Sequence, residues 1–139
     1  MIKTDANKNS LKAIREKERL EKEKEIHAKC EAMAFARFGE NHVKELTNQH
    51  KGLWYLPVLT EDGDEIERLA LMRPIDRHIL SYATTKMETD GLYAFLESCM
   101  SECFVEGDRD IIDDDRYFLG ASQTFHKIID SRKSYMLKR

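Results

Sequence analysis

The apolar residues change their spacing along the chain, and each spacing predicts a different element. From Arg15 to Glu25 every residue but Leu20 is charged. Pairs such as Glu18–Lys22 and Glu25–Lys29 stand at i,i+4 and favour a solvated single helix. No a/d heptad runs through this stretch, so a coiled coil is not expected. Asn9 or Ser10 is suited to cap its start, and the ten residues up to there are expected to lack structure on their own. From Ile26 the pattern becomes one-sided. Ile26, Cys30, Met33, Ala34 and Phe38 recur at helical spacing, and Gly39 is a natural stop. The chain thus opens with one helix, bare in its front half and apolar on one face in its rear half.

Beyond Gly52 the pattern alternates and then returns to helical spacing. Leu53 to Leu59 reads as a β-strand, and Ile66 to Met72 as its return partner. Between them lies Glu61-Asp62-Gly63-Asp64, with the Asp-Gly signal of a hairpin. Pro57 has no N–H to give, which places the first strand at an edge or a bulge. A lone hairpin is marginal in water, so it must dock on helices, with Trp54 the expected anchor. Pro74 suits a first helical position, and Ile75, Ile79, Tyr82, Ala83 and Met87 predict a helix over about 74–87. Thr89-Asp90-Gly91 breaks it. Leu92, Phe95, Leu96, Cys99, Met100, Cys103 and Phe104 predict the next helix over about 91–104. Asp113 or Asp114 caps the last helix, over about 114–136, with Phe118, Ala121, Phe125, Ile128 and Ile129 inward.

These elements predict an α+β, mostly α fold: a β-hairpin packed on three to four helices, with a protruding charged N-terminal helix. Charge draws the boundary. Residues 1–51 hold 12 Lys/Arg against 9 Asp/Glu, and residues 52–139 hold 11 against 17. The chain reads as a basic arm, 1–51, and a compact acidic body, 52–139. At 139 residues with 41% hydrophobic content, the body has a modest core under a solvated surface. No apolar run approaches a membrane span and no leader pattern opens the chain, so the reading is cytosolic.

The candidate chemistry is sparse. Cys30, Cys99 and Cys103 are an odd, scattered set, read as reduced and buried thiols. Cys99 and Cys103 share a helix face, but no further ligand pair completes a zinc site. Five aspartates fall between Asp108 and Asp115. An EF-hand loop begun at Asp108 would put Ile112 at its fifth position and Asp113 where glycine is needed, so the pattern fails. The carboxylates suit a helix N-terminus instead. His27, His42, His50, His78 and His126 form no HExxH, and His78 lies at the margin of its helix's apolar stripe. Nucleophile-elbow and phosphate-loop patterns are missing. No enzyme activity, cofactor or metal is predicted. Between residues 88 and 115 ten acids face Arg109 alone, which opposes nucleic-acid binding. Lys127 to Arg139 carries five basic residues and one acid. The basic arm and the acidic 88–115 region have the complementarity that self-association through protein contacts uses.

The stretch 53–139 resembles small proteins of tailed bacteriophages, of the kind classed as tail-assembly chaperones in Bacteroides-type phages. The likeness rests on the aromatic strand Leu53-Trp54-Tyr55-Leu56-Pro57-Val58, on Arg73, Pro74 and Arg77 at a helix start, and on Thr89-Asp90-Gly91. It continues through Cys103-Phe104-Val105-Glu106-Gly107-Asp108 and the aspartates before Tyr117-Phe118-Leu119-Gly120-Ala121. The first 50 residues depart from it. The resemblance implies a non-enzymatic assembly chaperone or adaptor that binds a helical, tape-measure-like tail protein in the host bacterial cytoplasm. Its expected contact residues are Trp54, Tyr55, Tyr93 and Tyr117. A structural virion component, at the head–tail junction or on the capsid, is the alternative. A small regulatory or nucleic-acid-directed phage protein is the third reading.

Overall fold

The computed structural model describes residues 2–129 and 134–139, with side chains from Asn9 onward. By internal contacts the chain falls into two units, Met1–Glu40 and Asn41–Arg139.

The first unit is essentially one helix, α1 (Ile2–Phe38). It starts before the expected caps: Asn9 and Ser10 lie inside it, because nothing between Ile2 and Ser10 breaks a helix. Arg19 pairs with Glu16 and, at 3.1 Å, with Glu23. Glu25 pairs with Lys29 at 3.5 Å, as its spacing suggested. Leu11, Ile14 and Leu20 are exposed, whereas Cys30 and Ala34 are buried, so the one-sided rear half is present. Gly39, at φ +92°, ends the helix.

The second unit starts earlier than the charge boundary near residue 51. It takes in α2 (Glu40–His50) after its first residue. Two apolar side chains hold α2 down, Val43 and Leu46, both buried. Then come β1 (Trp54–Leu59), β2 (Ile66–Met72), α3 (Arg77–Asp90) and α4 (Leu92–Cys103). A short strand, β3 (Phe104–Gly107), leads to α5 (Asp110–Asp113) and α6 (Asp115–Ile129). The strands form one antiparallel sheet in the order β1-β2-β3. Pro57 sits on an edge strand, as its missing donor requires.

The sheet is a hairpin plus one strand, and β3 corrects the expected helix end at Phe104. Cys103 ends α4, and the chain turns extended at Phe104 (ψ 125°) to pair Glu106 with Leu71 and Gly107 with Ala70. Its neighbour β2 is buried on both sides. Ala70 and Met72 join Leu56, Ile79, Leu96, Met100 and Phe118 in the main core under the helices. Leu69 and Leu71 point the other way and are fully buried too. Register places Glu106 beside Leu71 on that second face. His42 of α2 meets Glu106 there at 2.6 Å.

Local signals explain the other boundaries. In the hairpin turn, Thr60 N donates to Glu65 O at 2.9 Å and Gly63 takes φ +78°. Pro74 does not start α3. The cap is Asp76, whose carboxylate accepts from Ile79 N at 2.9 Å, because an Asp acceptor satisfies the first-turn N–H groups and Pro cannot. Gly91, at φ +93°, closes α3 and opens α4. Asp114 caps α6 as expected, accepting from Arg116 N at 3.0 Å. The last helix is shorter than the predicted 114–136: α6 ends at Ile129, part of the remainder lies outside the described residues, and Ser134–Arg139 has no regular structure. Among the described residues no helix is long and apolar enough to cross a membrane.

Candidate functional site

An apolar cleft of the second unit lies where β1 meets the C-terminal half of α6. Trp54, Leu56 and Pro57 contribute one wall. Phe125, Ile128 and Ile129 contribute the other, and Met72 and Ile75 close the end. The alternation of β1 directs Leu56 into the core, where it is 4% exposed. Trp54 lies at the start of the strand and keeps 48% of its surface in water. The hairpin is therefore anchored by Leu56, and Trp54, the anchor expected from the sequence, is instead a cleft wall. Arg73 is the one charged residue of the lining. Its Nε donates to Glu102 O at 2.8 Å, which holds the guanidinium at the rim.

The cavity measures about 70 Å³. That volume suits one apolar side chain rather than a cofactor or drug-sized ligand, whose sites run to about 300–1,000 Å³. An exposed tryptophan beside an apolar hole is the residue type that carries binding energy in protein interfaces.

The four aromatic residues picked from sequence go to different places. Trp54 and Tyr55 come together at the cleft. Tyr93, 47% exposed on α4, stacks edge-on with Phe118 at 6.3 Å and accepts a hydrogen bond from Gln123 Nε2 at 3.1 Å. Tyr117 is a packing residue, 8% exposed, with Arg68 over one part of its ring at 5.0 Å and Arg116 at 5.5 Å. Its hydroxyl donates to Glu67 at 3.1 Å. Burial, and then that hydrogen bond, push the Tyr117 phenol up. The sequence pattern missed Phe125, Ile128 and Ile129 as cleft residues because inward-facing helix positions all read as core.

The aspartate cluster is spent on the fold. Arg68 Nε donates to Asp110 at 2.8 Å, Arg109 lies 3.5 Å from Asp113, and Arg116 lies 2.7 Å from Asp114. The Arg116 side chain holds the Asp114 carboxyl below the usual carboxylate range. Asp108 accepts from Leu69 N and donates its own N–H to Leu69 O, both at 2.8 Å. Among the described residues no group of three or more His, Cys, Asp or Glu is placed to hold a metal ion.

Cys99 and Cys103 are fully buried on the core face of α4. Desolvation pushes the Cys30 and Cys99 thiols up to about 11 and Cys103 up to about 12, so all three are neutral packing groups near pH 7. Two more polar pockets lie beside the exposed Tyr82, and Glu102 lines both. Arg73, Asp76 and His78 also line one of them, and Lys86, Asp90 and Glu97 the other.

Fold and cleft together define a small, mostly helical α+β protein with a three-stranded antiparallel sheet and an apolar cleft beside its β1 edge. Compared with family models, with curated proteins and with solved structures, the chain matches none of them.

Proposed function

We propose that this protein is a non-enzymatic binding module, an assembly chaperone or adaptor that holds a helical partner by one apolar side chain. The observation that carries the reading is the cleft between Trp54 and Ile128, with a half-exposed tryptophan beside a hole of side-chain size. An amphipathic helix laid on such a cleft would use anchors at i, i+3, i+4 and i+7. The resemblance of 53–139 to tail-assembly chaperones supplies the biological setting: the partner is a long, tape-measure-like tail protein, and the site of action is the host bacterial cytoplasm. The charged surface of α1 suits a chain that must stay dispersed beside an apolar client.

Two measurements test this. Trp54 is the single tryptophan of the chain, so its emission reports the cleft directly. A synthetic amphipathic helix with a leucine face should shift that emission to the blue, a scrambled peptide should not, and Ile128→Asp should abolish the response. A photo-crosslinker at position 54, used in infected cells, should then trap a long helical tail protein. Mass spectrometry of purified particles addresses the alternative: abundance in the mature virion would replace the chaperone by a structural component.

A further inference from the structure

Two charged surfaces take no part in the cleft. The first is one face of α1. At 3.6 residues per turn, Lys12, Arg15, Arg19 and Lys22 fall within an arc of about 80°. Every residue between Asn9 and Glu25 in this arc is Lys or Arg. The same arc continues as Ile26, Cys30, Met33 and Ala34, where Cys30 and Ala34 are buried. The face that is covered in the rear half of the helix is bare in front, where Lys12, Arg15 and Arg19 are exposed. Acids border it on both sides, Glu16 and Glu23 on one and Glu18 and Glu25 on the other, and the first two hold Arg19. Such borders disfavour a uniform polyanion and suit a protein surface with discrete charges.

The second surface is the pair of pockets beside Tyr82, of about 390 and 350 Å³. Asp76, Asp90, Glu97 and Glu102 line them, against the permanent cations of Arg73 and Lys86. Arg73 stands 3.9 Å from Glu102, and Asp76 is engaged as the cap of α3. Asp90 and Glu97, both exposed, are the principal acceptors for further cations. Tyr82, 58% exposed, offers a ring face to a guanidinium.

We infer that these surfaces are the two halves of one contact between copies of this chain: the basic face of α1 in one copy lies over the acidic α3–α4 pockets of another. The lengths agree. Lys12 to Lys22 spans about 15 Å of helix axis, and Asp76 to Asp90 about 21 Å along α3. Each copy carries both halves, so two copies can satisfy each other reciprocally. Exposed ion pairs are individually weak, which makes the contact reversible and sensitive to salt. It does not use the hole beside Trp54, so self-association and the proposed binding function fail separately.

Sedimentation velocity of the full chain, from about 10 μM to about 0.5 mM, tests the contact in about 0.05 M salt and again in about 0.5 M. The chain should associate in low salt, and the higher salt should weaken association about tenfold. K12E/R15E and D90K/E97K alter exposed positions, and urea midpoints near that of the parent chain check their folds. Each variant alone should sediment as a monomer. An equimolar mixture of the two should associate again, because one supplies an intact α1 face and the other intact pockets. Ile128→Asp should associate like the parent chain. A monomer at every concentration in low salt would overturn the inference, as would association that neither charge variant weakens or a mixture that stays monomeric. Loss of association in Ile128→Asp would move the interface to the cleft and overturn it too. A monomeric chain that retains duplex DNA through Lys12 and Arg15 would assign the α1 face to a polyanion instead.

Discussion

The two edges of the sheet are built by opposite means. At the β3 edge the backbone is clamped by polar groups. Gly107 lies so close to β2 that an added Cβ would meet Leu69 O at 2.4 Å. Asp108 continues the pairing with two hydrogen bonds to Leu69, and Arg68, Asp110 and Tyr117 interlock beside it. At the β1 edge the side chains are apolar and incompletely covered, with Trp54 half in water over a hole. The lesson is a division of labour. Directional, partnered groups fix one edge, and non-directional apolar groups cover the other incompletely.

The sharpest way to break this contrast is Gly107→Ala. The position has φ +122° and no room for a Cβ, so the substitution should cost about 3 kcal/mol or more, read as a large fall in the urea midpoint or as failure to fold. Alkali tests whether the edges share one core. Cys99 and Cys103 carry folded pKa values of about 11 and about 12 against an ordinary 9.0. A raised folded pKa means the folded chain holds its proton longer. The stability these thiols contribute is therefore complete below about pH 9 and is lost as pH rises toward 11–12. Melting temperature should fall over that window, with signals from both edges lost together. Asp108→Ala removes the acceptor of a part-buried N–H and should cost about 1–2 kcal/mol in urea unfolding. Trp54→Ala should cost less than about 1 kcal/mol, because the side chain is already half solvated. The same change should nonetheless abolish binding of the leucine-faced helix. A large stability loss from Trp54→Ala would show the open edge to be structural after all.

Local chemistry was legible wherever one residue type dominates a conformation. Gly63 and Gly91 marked turns, Asp114 marked a cap, Pro57 marked an edge, and helical spacing found α3, α4 and α6. What escaped was decided by distant partners. Phe104 closes an apolar helical pattern and nothing in Val105-Glu106-Gly107 signals a strand; the segment becomes one only because β2 offers a free ladder. The helix α2 hides because Val43 and Leu46 are its only buried side chains in eleven residues. The cleft was half visible. Trp54 and Tyr55 announce themselves as aromatics on a strand, whereas Ile128 and Ile129 look like any inward helix position. Their exposure depends on where α6 ends relative to β1, which no local pattern encodes. Likewise Tyr117 and Trp54 look equivalent in sequence, and only the Arg68–Glu67 environment separates a packed phenol from a surface indole.

Pro57 has a consequence for a crowded compartment. A sheet edge with a regular row of backbone donors is a template on which further strands can grow, and an apolar edge is the worst offender. The imide at Pro57 interrupts that row in the middle of β1. A foreign strand therefore meets a break partway along the edge, and growth of the sheet by strand addition is opposed there.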